Sequence, residues 1–449
     1  MKQRTLNGKK MTDKEAAHAY IAAKLDFPEY YGKNLDALAD CVSEFCLDKY
    51  IRFKNFDEAE KSLDGVVTTY GFDFSLYMWD DDNVCAIVNY VMKGGPAEKA
   101  GLKRGDVIVK VNGKFMPFAD KKYSDIVNNE LLGGKTLVAT MEDDSQITLN
   151  AVVLQEDAIL LTKVFDVADK KVGYMVYNSF TFESIDHLIE ECKKFKKAGI
   201  SELILDLRYN GGGYGIAKEA LASMLGPEAE VKAGSLLEVM VYNDYITEYY
   251  KSKNIKNDTY FSTEFSYESG KEEKVSNTAD ANIGIEKLYV IVTDNSASAS
   301  EALICCLKPY MPVILIGEQT YGKYCGGFVI GAQNFYENNK KHFEELGTYK
   351  EAHAAVKNWG IYVMASRYAD KNGQTGCMPD GYRPDIEATD KPYDGYQLGD
   401  PEESMLKVAL TQVGYKFAST RTNSQEQISM KPVGKSGQVR KKTFGMLVL

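Results

Sequence analysis

Short apolar runs alternate with amphipathic segments of helix length through the middle of the chain. The runs are rich in Val, Ile and Leu, and they predict buried strands at residues 172–177, 201–208, 288–293 and 311–316. The segments with helical spacing lie at residues 184–197, 216–225 and 301–308. This alternation, which continues to about residue 366, predicts an α/β core with parallel strand pairing.

Two stretches interrupt the alternation and are predicted to be insertions. Residues 244–284 are rich in Tyr, Lys and Asn and show little periodicity, whereas residues 333–358 are polar and prone to form helix. We expect decorated surface in both, with a lid over a site as the alternative. One more helix is predicted after Glu402, and residues 419–442 beyond it are polar.

Length and charge narrow the class of protein. The chain has 449 residues, enough for two to four domains, and a net charge of −10 from 54 basic and 64 acidic residues. An acidic chain without basic patches is not expected to bind nucleic acid. All apolar runs are of strand length, so no membrane span is expected, and the first residues lack the apolar run of a secretory signal.

The eight cysteines and four histidines are scattered along the chain. No Cys-x-x-Cys pair or zinc-like spacing occurs, and no histidine stands beside a carboxylate in a triad-like motif. The sequence therefore predicts no metal site.

Ser298 and Lys323 each follow a predicted strand and are candidates for nucleophilic chemistry. Ser298 lies at the junction between the strand at 288–293 and the helix at 301–308, where a hydroxyl points outward beside helix N–H groups. Lys323 lies in a Gly-flanked turn after the strand at 311–316, which carries it toward the same sheet edge. A free lysine with a pKa of about 10.4 is neutral in roughly one molecule in 2500 at pH 7, so it must be desolvated to act as a base. The alternative is that Ser298 is only a small residue at a turn and that Lys323 is a solvated surface charge.

Three consecutive glycines follow the predicted strand at residues 201–208. They close the sequence Tyr-Asn-Gly-Gly-Gly at residues 209–213, just before the helix predicted at 216–225. Glycines at a strand end let backbone N–H groups approach a ligand closely, as an oxyanion hole requires. Nucleotide-binding folds also use such turns, but this one has neither Gly-x-Gly-x-x-Gly nor a P-loop lysine, which argues against phosphate binding.

Together these segments resemble the C-terminal processing, or tail-specific, serine peptidases. The matching pieces are residues 206–213 (Asp-Leu-Arg-Tyr-Asn-Gly-Gly-Gly), 296–301 (Ser-Ala-Ser-Ala-Ser-Glu), 320–323 (Thr-Tyr-Gly-Lys) and 381–385 (Gly-Tyr-Arg-Pro-Asp). The spacing between Ser298 and Lys323 also matches that family. The resemblance implies an α/β fold with a spiral, ClpP/crotonase-like peptidase core.

The same resemblance implies a role for each candidate residue. Ser298 would be the nucleophile and Lys323 its general base, and the backbone N–H groups of Gly212 and Ala299 would bind the oxyanion. No cofactor is implied. Many members of the family carry a glutamine four residues after the lysine, where this chain has Gly327. The group that orients the amine is therefore missing or comes from elsewhere.

A stretch upstream closely resembles part of a PDZ domain. In residues 94–113 a short helix leads to a strand and to an Asn-Gly sequence that favours a hairpin turn. The loop that would hold a terminal carboxylate, while the next strand pairs with the peptide, comprises Tyr70, Gly71, Phe72 and Phe74. The resemblance implies polypeptide partners with apolar C-termini; a hairpin domain without a ligand is the alternative. Residues 444–449 of the chain are themselves apolar, which raises the hypothesis of self-docking.

The first part of the chain resembles a different family. Residues 28–41 closely resemble the central segment of barstar, the intracellular ribonuclease inhibitor, in which tyrosines and acidic residues face a basic active site. Tyr30, Asp36 and Asp40 would map onto those binding positions, which implies a basic ribonuclease as a partner. The resemblance covers only about half of such a domain, so inhibition by this segment alone is doubtful.

These resemblances divide the chain into four predicted segments. They are a small α/β barstar-like segment (1–47), a mainly-β PDZ-like domain (65–165), a serine peptidase core (166–415) and a C-terminal tail (416–449). The predicted function is an endopeptidase that recognises polypeptide C-termini and cleaves through an acyl-enzyme. The alternatives are an inactive tail-binding scaffold and a ribonuclease-inhibitor fusion. The family implies the cell envelope or periplasm, whereas the missing signal in the chain as given is compatible with the cytoplasm.

Overall fold

The computed structural model describes residues 49–53, 64–269, 272–331, 333, 337, 340–347, 349–356, 360–417 and 430–435. The barstar-like residues Tyr30, Asp36 and Asp40 and the apolar residues 444–449 lie outside the described ranges. No helix in the described part is long and apolar enough to cross a membrane.

Strands supply most of the described elements. In chain order they are β1 (Lys49–Phe53), β2 (Val66–Thr69), β3 (Phe72–Met78), β4 (Asn83–Val91), β5 (Val107–Val111), β6 (Lys114–Pro117), β7 (Thr136–Met141), β8 (Gln146–Asn150), β9 (Val152–Gln155), β10 (Ile159–Val167), β11 (Lys170–Tyr177), β12 (Glu202–Asp206), β13 (Leu236–Tyr242), β14 (Asp258–Tyr260), β15 (Glu264–Ser269), β16 (Glu272–Asn277), β17 (Lys287–Val292), β18 (Val313–Gly317), β19 (Cys325–Gly331), β20 (Gly360–Ala369), β21 (Ile386–Glu387) and β22 (Pro432–Lys435).

Most of the described helices lie after residue 180. They are α1 (Pro96–Lys99), α2 (Tyr123–Ile126, continued by a π-helical stretch, Val127–Leu132), α3 (Ser184–Ala198), α4 (Gly215–Leu225), α5 (Glu228–Ala233), α6 (Asp244–Ser252), α7 (Ala299–Leu307), α8 (Lys340–Glu345), α9 (Tyr349–Ala355) and α10 (Ser404–Gln412). Short 3₁₀ turns lie at Ala119–Lys121 and Pro392–Asp394.

The PDZ-like domain is built on one antiparallel sheet with the strand order β22-β3-β4-β6-β5-β7-β8. The predicted turn joins β5 to β6, with φ angles of 50° at Asn112 and 76° at Gly113, as a hairpin turn with two left-handed residues requires. One face of the sheet packs with α2 around Phe74, Leu76 and Leu131. The expected mainly-β PDZ domain is therefore confirmed.

The α/β core contains a six-stranded sheet in the order β10-β11-β12-β17-β18-β21. β10 pairs antiparallel with β11, and the remaining neighbours are parallel. Helices α3, α4 and α7 bury Leu188, Leu221 and Leu303 on one face. Helix α10 buries Leu406 and Leu410 on the other. The predicted α/β core is confirmed, because every strand and helix read from the apolar pattern is present.

The stretch at residues 244–284 differs from its prediction. It contains α6, β14 and the antiparallel hairpin of β15 and β16. Phe265 and Tyr267 of the hairpin are buried in the same cluster as α3 and α4, and the ring of Tyr267 stacks on Phe182 at 5.3 Å. The expectation of decorated surface is therefore wrong for this hairpin. Phe265 and Tyr267 alternate with polar residues in β15, so a period of two was present in the sequence and could have indicated this buried face.

Buried charges connect the PDZ-like domain to the core. Arg208, at the end of β12, is fully buried and its guanidinium donates to Asp206 and to Glu403, at 2.7 Å and 2.6 Å. Arg104 of the PDZ-like domain reaches the same group, donating to Asp390 at 2.7 Å and to Glu403 at 3.2 Å. Two guanidinium groups thus share three carboxylates.

The arginines lower the pKa of two carboxylates of this network, Asp390 and Glu403. Burial alone would raise the pKa of Asp390, but the charges of Arg104 and Arg208 and the hydrogen bond from Tyr209 outweigh burial and hold the pKa below its ordinary value. The pKa of Glu403 is lowered in the same way, chiefly by Arg208 against the effect of burial. Removing Arg104 would therefore leave three buried carboxylates with the single guanidinium group of Arg208.

We expect Arg104→Met to lower the free energy of unfolding by about 3–5 kcal/mol, because a buried ion pair broken on one side leaves an uncompensated charge. Lys407→Met is the matched control, since the Lys407–Glu402 pair at 2.6 Å is partly exposed and is worth at most about 1 kcal/mol. Urea unfolding followed by tyrosine fluorescence measures both. Equal losses in the two variants would contradict the prediction.

Candidate active site

Ser298 occupies a strained turn between β17 and α7. Its φ of 58° and ψ of −114° lie outside the regions that residues with a side chain ordinarily adopt. Ser298 is the N-cap of α7, so the N–H of Ala299, the first helical residue, has no acceptor within the helix. The structure therefore places the serine at the predicted strand-to-helix junction, with a helix N–H next to it.

The carboxylate of Glu301 joins this serine elbow to the lysine turn. Its Oε2 accepts the backbone N–H of Ser298 at 3.1 Å and that of Lys323 at 2.8 Å. Its Oε1 accepts the N–H of Gly322 at 2.7 Å and the hydroxyl of Thr320 at 2.5 Å. Burial raises the pKa of Glu301, and these hydrogen bonds oppose the rise. The backbones of the two predicted catalytic residues are thus held by one oxygen atom.

The segment at residues 381–385 packs against the lysine turn. The N–H of Thr320 donates to the Tyr382 carbonyl at 3.0 Å, and the N–H of Tyr382 donates to Thr320 Oγ1 at 2.7 Å. A Cβ at Gly381 would lie 2.2 Å from the Thr320 carbonyl oxygen, so a larger residue does not fit. Lys323 itself is only 9% exposed, which excludes the alternative of a solvated surface charge.

The glycine-rich loop touches the serine elbow but departs from the predicted oxyanion arrangement. A Cβ at Gly212, where φ is 103°, would lie 2.7 Å from Ser298 Cβ and 3.0 Å from the nitrogen of Ala299. Gly212, one of the two predicted oxyanion donors, therefore lies close to Ser298 and to Ala299, the other donor. However, the N–H of Gly212 donates to Asn210 Oδ1 at 2.8 Å. To bind an oxyanion, Gly212 would have to share its proton with Asn210.

A cavity of about 220 Å³ opens beside Ser298. Its lining includes the small residues Gly213, Ala302, Gly326 and Gly327. The lining also includes Lys218 and Glu238, which form an ion pair at 2.9 Å with side chains 2% and 6% exposed. Cys306 donates its Sγ–H to Glu238 at 3.3 Å. The volume of about 220 Å³ suits a side chain of modest size.

Gly327, which replaces the common glutamine, lies in β19 just after an irregularity in its ladder with β20. Without a side chain it leaves this part of the cavity open. Tyr368 belongs to the same lining, and its hydroxyl donates to the Lys323 carbonyl at 3.1 Å. Tyr368 therefore ties the lysine turn to the cavity wall, a role that the sequence did not indicate.

The predicted carboxylate-binding residues of the PDZ-like domain have buried side chains. Tyr70, Phe72 and Phe74 belong to the core of that domain, and the Tyr70 hydroxyl donates to the Glu130 carbonyl at 3.1 Å. Gly71 has a φ of 87° at the turn into β3, and its N–H donates to Thr69 Oγ1 at 3.1 Å. Any contact of these residues with a peptide would therefore use the backbone.

Sequence reasoning missed Glu301, Asn210 and the Lys218–Glu238 pair. Glu301 could have been found, because Ser298-x-x-Glu301 is the pattern of a capping box, and the structure shows the hydrogen bond from the Ser298 N–H to the Glu301 carboxylate. The other residues carry no local signal. Among the described residues, no cluster of three or more His, Cys, Asp or Glu side chains is arranged to hold a metal ion.

Comparisons with known proteins identify the domains. Residues 171–388 match the model of peptidase family S41, residues 87–125 match a PDZ domain, and residues 1–70 match barstar, described as barnase inhibitor. A crystal structure from Bacteroides fragilis NCTC 9343, of a protein described as an S41 protease, superposes with a TM-score of 0.61 and 24% identity. That superposition covers 86% of this chain and 92% of the other, and it supports the fold.

Curated relatives carry names of the same kind. A "Probable CtpA-like serine protease" of Staphylococcus aureus strain N315 is 24% identical over 347 residues, 76% of this chain and 60% of its own length. The "Carboxy-terminal processing protease CtpA" of Bacillus subtilis strain 168 is 27% identical over 311 residues, 68% of this chain and 59% of its own. The chain thus spans about three-fifths of the length of these relatives.

Fold and site together define an α/β protein with a serine elbow, a buried lysine turn and a PDZ domain. More specifically, residues 171–388 are similar to peptidase family S41, and the chain is similar to proteins named carboxy-terminal processing proteases.

We expect Gly212→Ala to destabilise the protein by about 1–3 kcal/mol, because the new methyl group would collide with Ser298 at a strained φ. Gly211→Ala is the matched control: a Cβ there meets nothing within 4 Å. Thermal unfolding of both variants measures the difference. Unchanged stability of Gly212→Ala would mean that the loop does not lie against the serine elbow.

Proposed function

We propose that the chain is a serine endopeptidase of the C-terminal processing type. The observation that carries this proposal is the Glu301 carboxylate, which binds the backbones of Ser298 and Lys323 at 3.1 Å and 2.8 Å and so holds the candidate nucleophile and base in one unit. The resemblance to carboxy-terminal processing proteases supports the same reaction.

In the proposed reaction Ser298 Oγ attacks the scissile carbonyl while Lys323 Nζ accepts the hydroxyl proton. The N–H groups of Ala299 and Gly212 stabilise the oxyanion, and Lys323 then gives its proton to the leaving amine. Water hydrolyses the acyl-enzyme by the same steps in reverse order. The cavity beside Ser298 would hold the side chain on the acyl side of the cleaved bond, with room for a small or medium-sized residue.

The PDZ domain supplies the proposed recognition of substrate. An extended polypeptide would pair with β3 and place its terminal carboxylate at the Tyr70–Gly71 turn. Apolar C-termini are the proposed ligands, and the cell envelope is the proposed location; both rest on the resemblance.

We expect the chain to cleave a reduced, unfolded protein with an apolar C-terminus, and Ser298→Ala and Lys323→Met each to lower the rate at least about 10³-fold. Lys232→Ala, in an exposed ion pair far from any motif, is the control for the lysine substitution and should leave the rate unchanged. Mass spectrometry of products and of a covalent acyl-serine adduct measures the reaction. Binding of the substrate without cleavage by any of the proteins would favour a tail-binding scaffold.

A second candidate function is supported by the barstar match at residues 1–70. We propose that Tyr30, Asp36 and Asp40 contribute to the binding of a basic ribonuclease. Titration calorimetry with barnase should then show binding that weakens as salt rises, and Asp36→Ala should weaken it further. Affinity that does not depend on Asp36 or on salt would remove this candidate.

A further inference from the structure

The outer edge of β3 is paired with a distant part of the same chain. β22 lies antiparallel to β3, with Lys435 opposite Ser75 and Pro432 opposite Tyr77. The N–H of Met78 extends the pairing by donating to the Lys431 carbonyl at 2.9 Å. The other edge of β3 is taken along its whole length by β4. The edge occupied by β22 is therefore the edge on which an added peptide strand could pair with β3.

The direction of β22 is that of a PDZ ligand. β3 begins at the Tyr70–Gly71 turn and runs away from it. A peptide that lies along β3 with its terminal carboxylate at that turn has to run toward the turn, antiparallel to β3. β22 does run toward the turn, because its later residue, Lys435, faces Ser75 and its earlier residue, Pro432, faces Tyr77.

Side chains of the segment add apolar contacts on both faces of the sheet. Val433 is partly buried against the cluster that contains Phe74 and Leu76. Met430 packs on the opposite cluster, which contains Tyr77 and Ile87. The segment is thus held by main-chain pairing and by alternate side chains, the two components of β-strand addition.

We propose that residues 430–435 of the chain are the resident occupant of the outer edge of β3, the edge on which the proposed function places a peptide ligand. A polypeptide ligand has to displace them. The inference rests on the peptide-binding role proposed for the PDZ domain, not on cleavage. It also moves the self-docking hypothesis from the apolar residues 444–449 to an internal segment.

Displacement has a measurable consequence. A tethered strand competes at an effective concentration that reaches the millimolar range for short flexible linkers. If the edge is free in only about one molecule in ten, the apparent Kd of an added peptide is about tenfold higher than the intrinsic Kd. Weakening the resident strand should therefore strengthen binding of an added ligand.

The test uses the full chain with Ser298→Ala, so that the ligand is not cut. The probe is a fluorescent decapeptide with an apolar C-terminus and a free carboxylate. Val433→Asp, which puts a charge into the apolar contact of β22, should bind the probe at least about tenfold more tightly than the parent. Lys431→Ala is the matched control, because the side chain of Lys431 is exposed and its pairing uses the backbone carbonyl; it should bind like the parent.

Two further measurements keep the result decisive. Hydrogen exchange of β3 should accelerate in Val433→Asp while β4 stays protected, which shows that the domain is folded. A synthetic peptide of residues 428–437 should displace the probe from Val433→Asp. Equal probe affinity in parent and Val433→Asp, no probe binding to either, or no displacement by the synthetic peptide would each overturn the inference. The expected binding pattern together with absent cleavage by the Ser298 form would overturn the peptidase activity alone.

Discussion

The buried charge network around Arg208 is the constraint on which the rest of the structure depends. A fully buried guanidinium is tolerated only where its donors are satisfied, and Arg208 meets this condition with Asp206, Asp390 and Glu403. The three acids are far apart in the sequence, and Arg208 stands two residues before Asn210 and the glycine-rich loop. The position of the loop is therefore set by electrostatics within the core.

The site is assembled from strand ends by hydrogen bonds that lock backbone to backbone. Asn210 is the clearest case. Its side-chain amide donates to the backbone carbonyl of Tyr177 at 2.9 Å, and its backbone carbonyl accepts the N–H of Ala297 at 3.1 Å. Glu301 does the same between the serine elbow and the lysine turn. A buried polar side chain lowers the stability of the fold unless all its hydrogen bonds are made. The geometry of the site therefore depends on an intact core.

The apolar pattern predicted the core strands and helices closely, because buried parallel strands and amphipathic helices are encoded by local periodicity. Ser298 and Lys323 were predicted as site residues because each follows a predicted strand. The pairing of Arg104 with Asp390 and Glu403 could not be found, since these residues are nearly 300 positions apart and nothing local marks them. The engagement of the Gly212 N–H by Asn210 likewise depends on a rotamer that the sequence does not specify.

Two kinds of contact hold the PDZ domain, and they differ in how easily they are exchanged. Arg104 is buried among carboxylates, where breaking one partner costs about 3–5 kcal/mol. β22 is a short edge strand whose pairing is interrupted by an irregularity between Pro432 and Gly434, and short strand pairs of this kind are marginal in water. A ligand can therefore replace β22 on β3 while the arginine network keeps the domain on the core. Replacing β22 and detaching the PDZ domain from the core thus depend on different interactions.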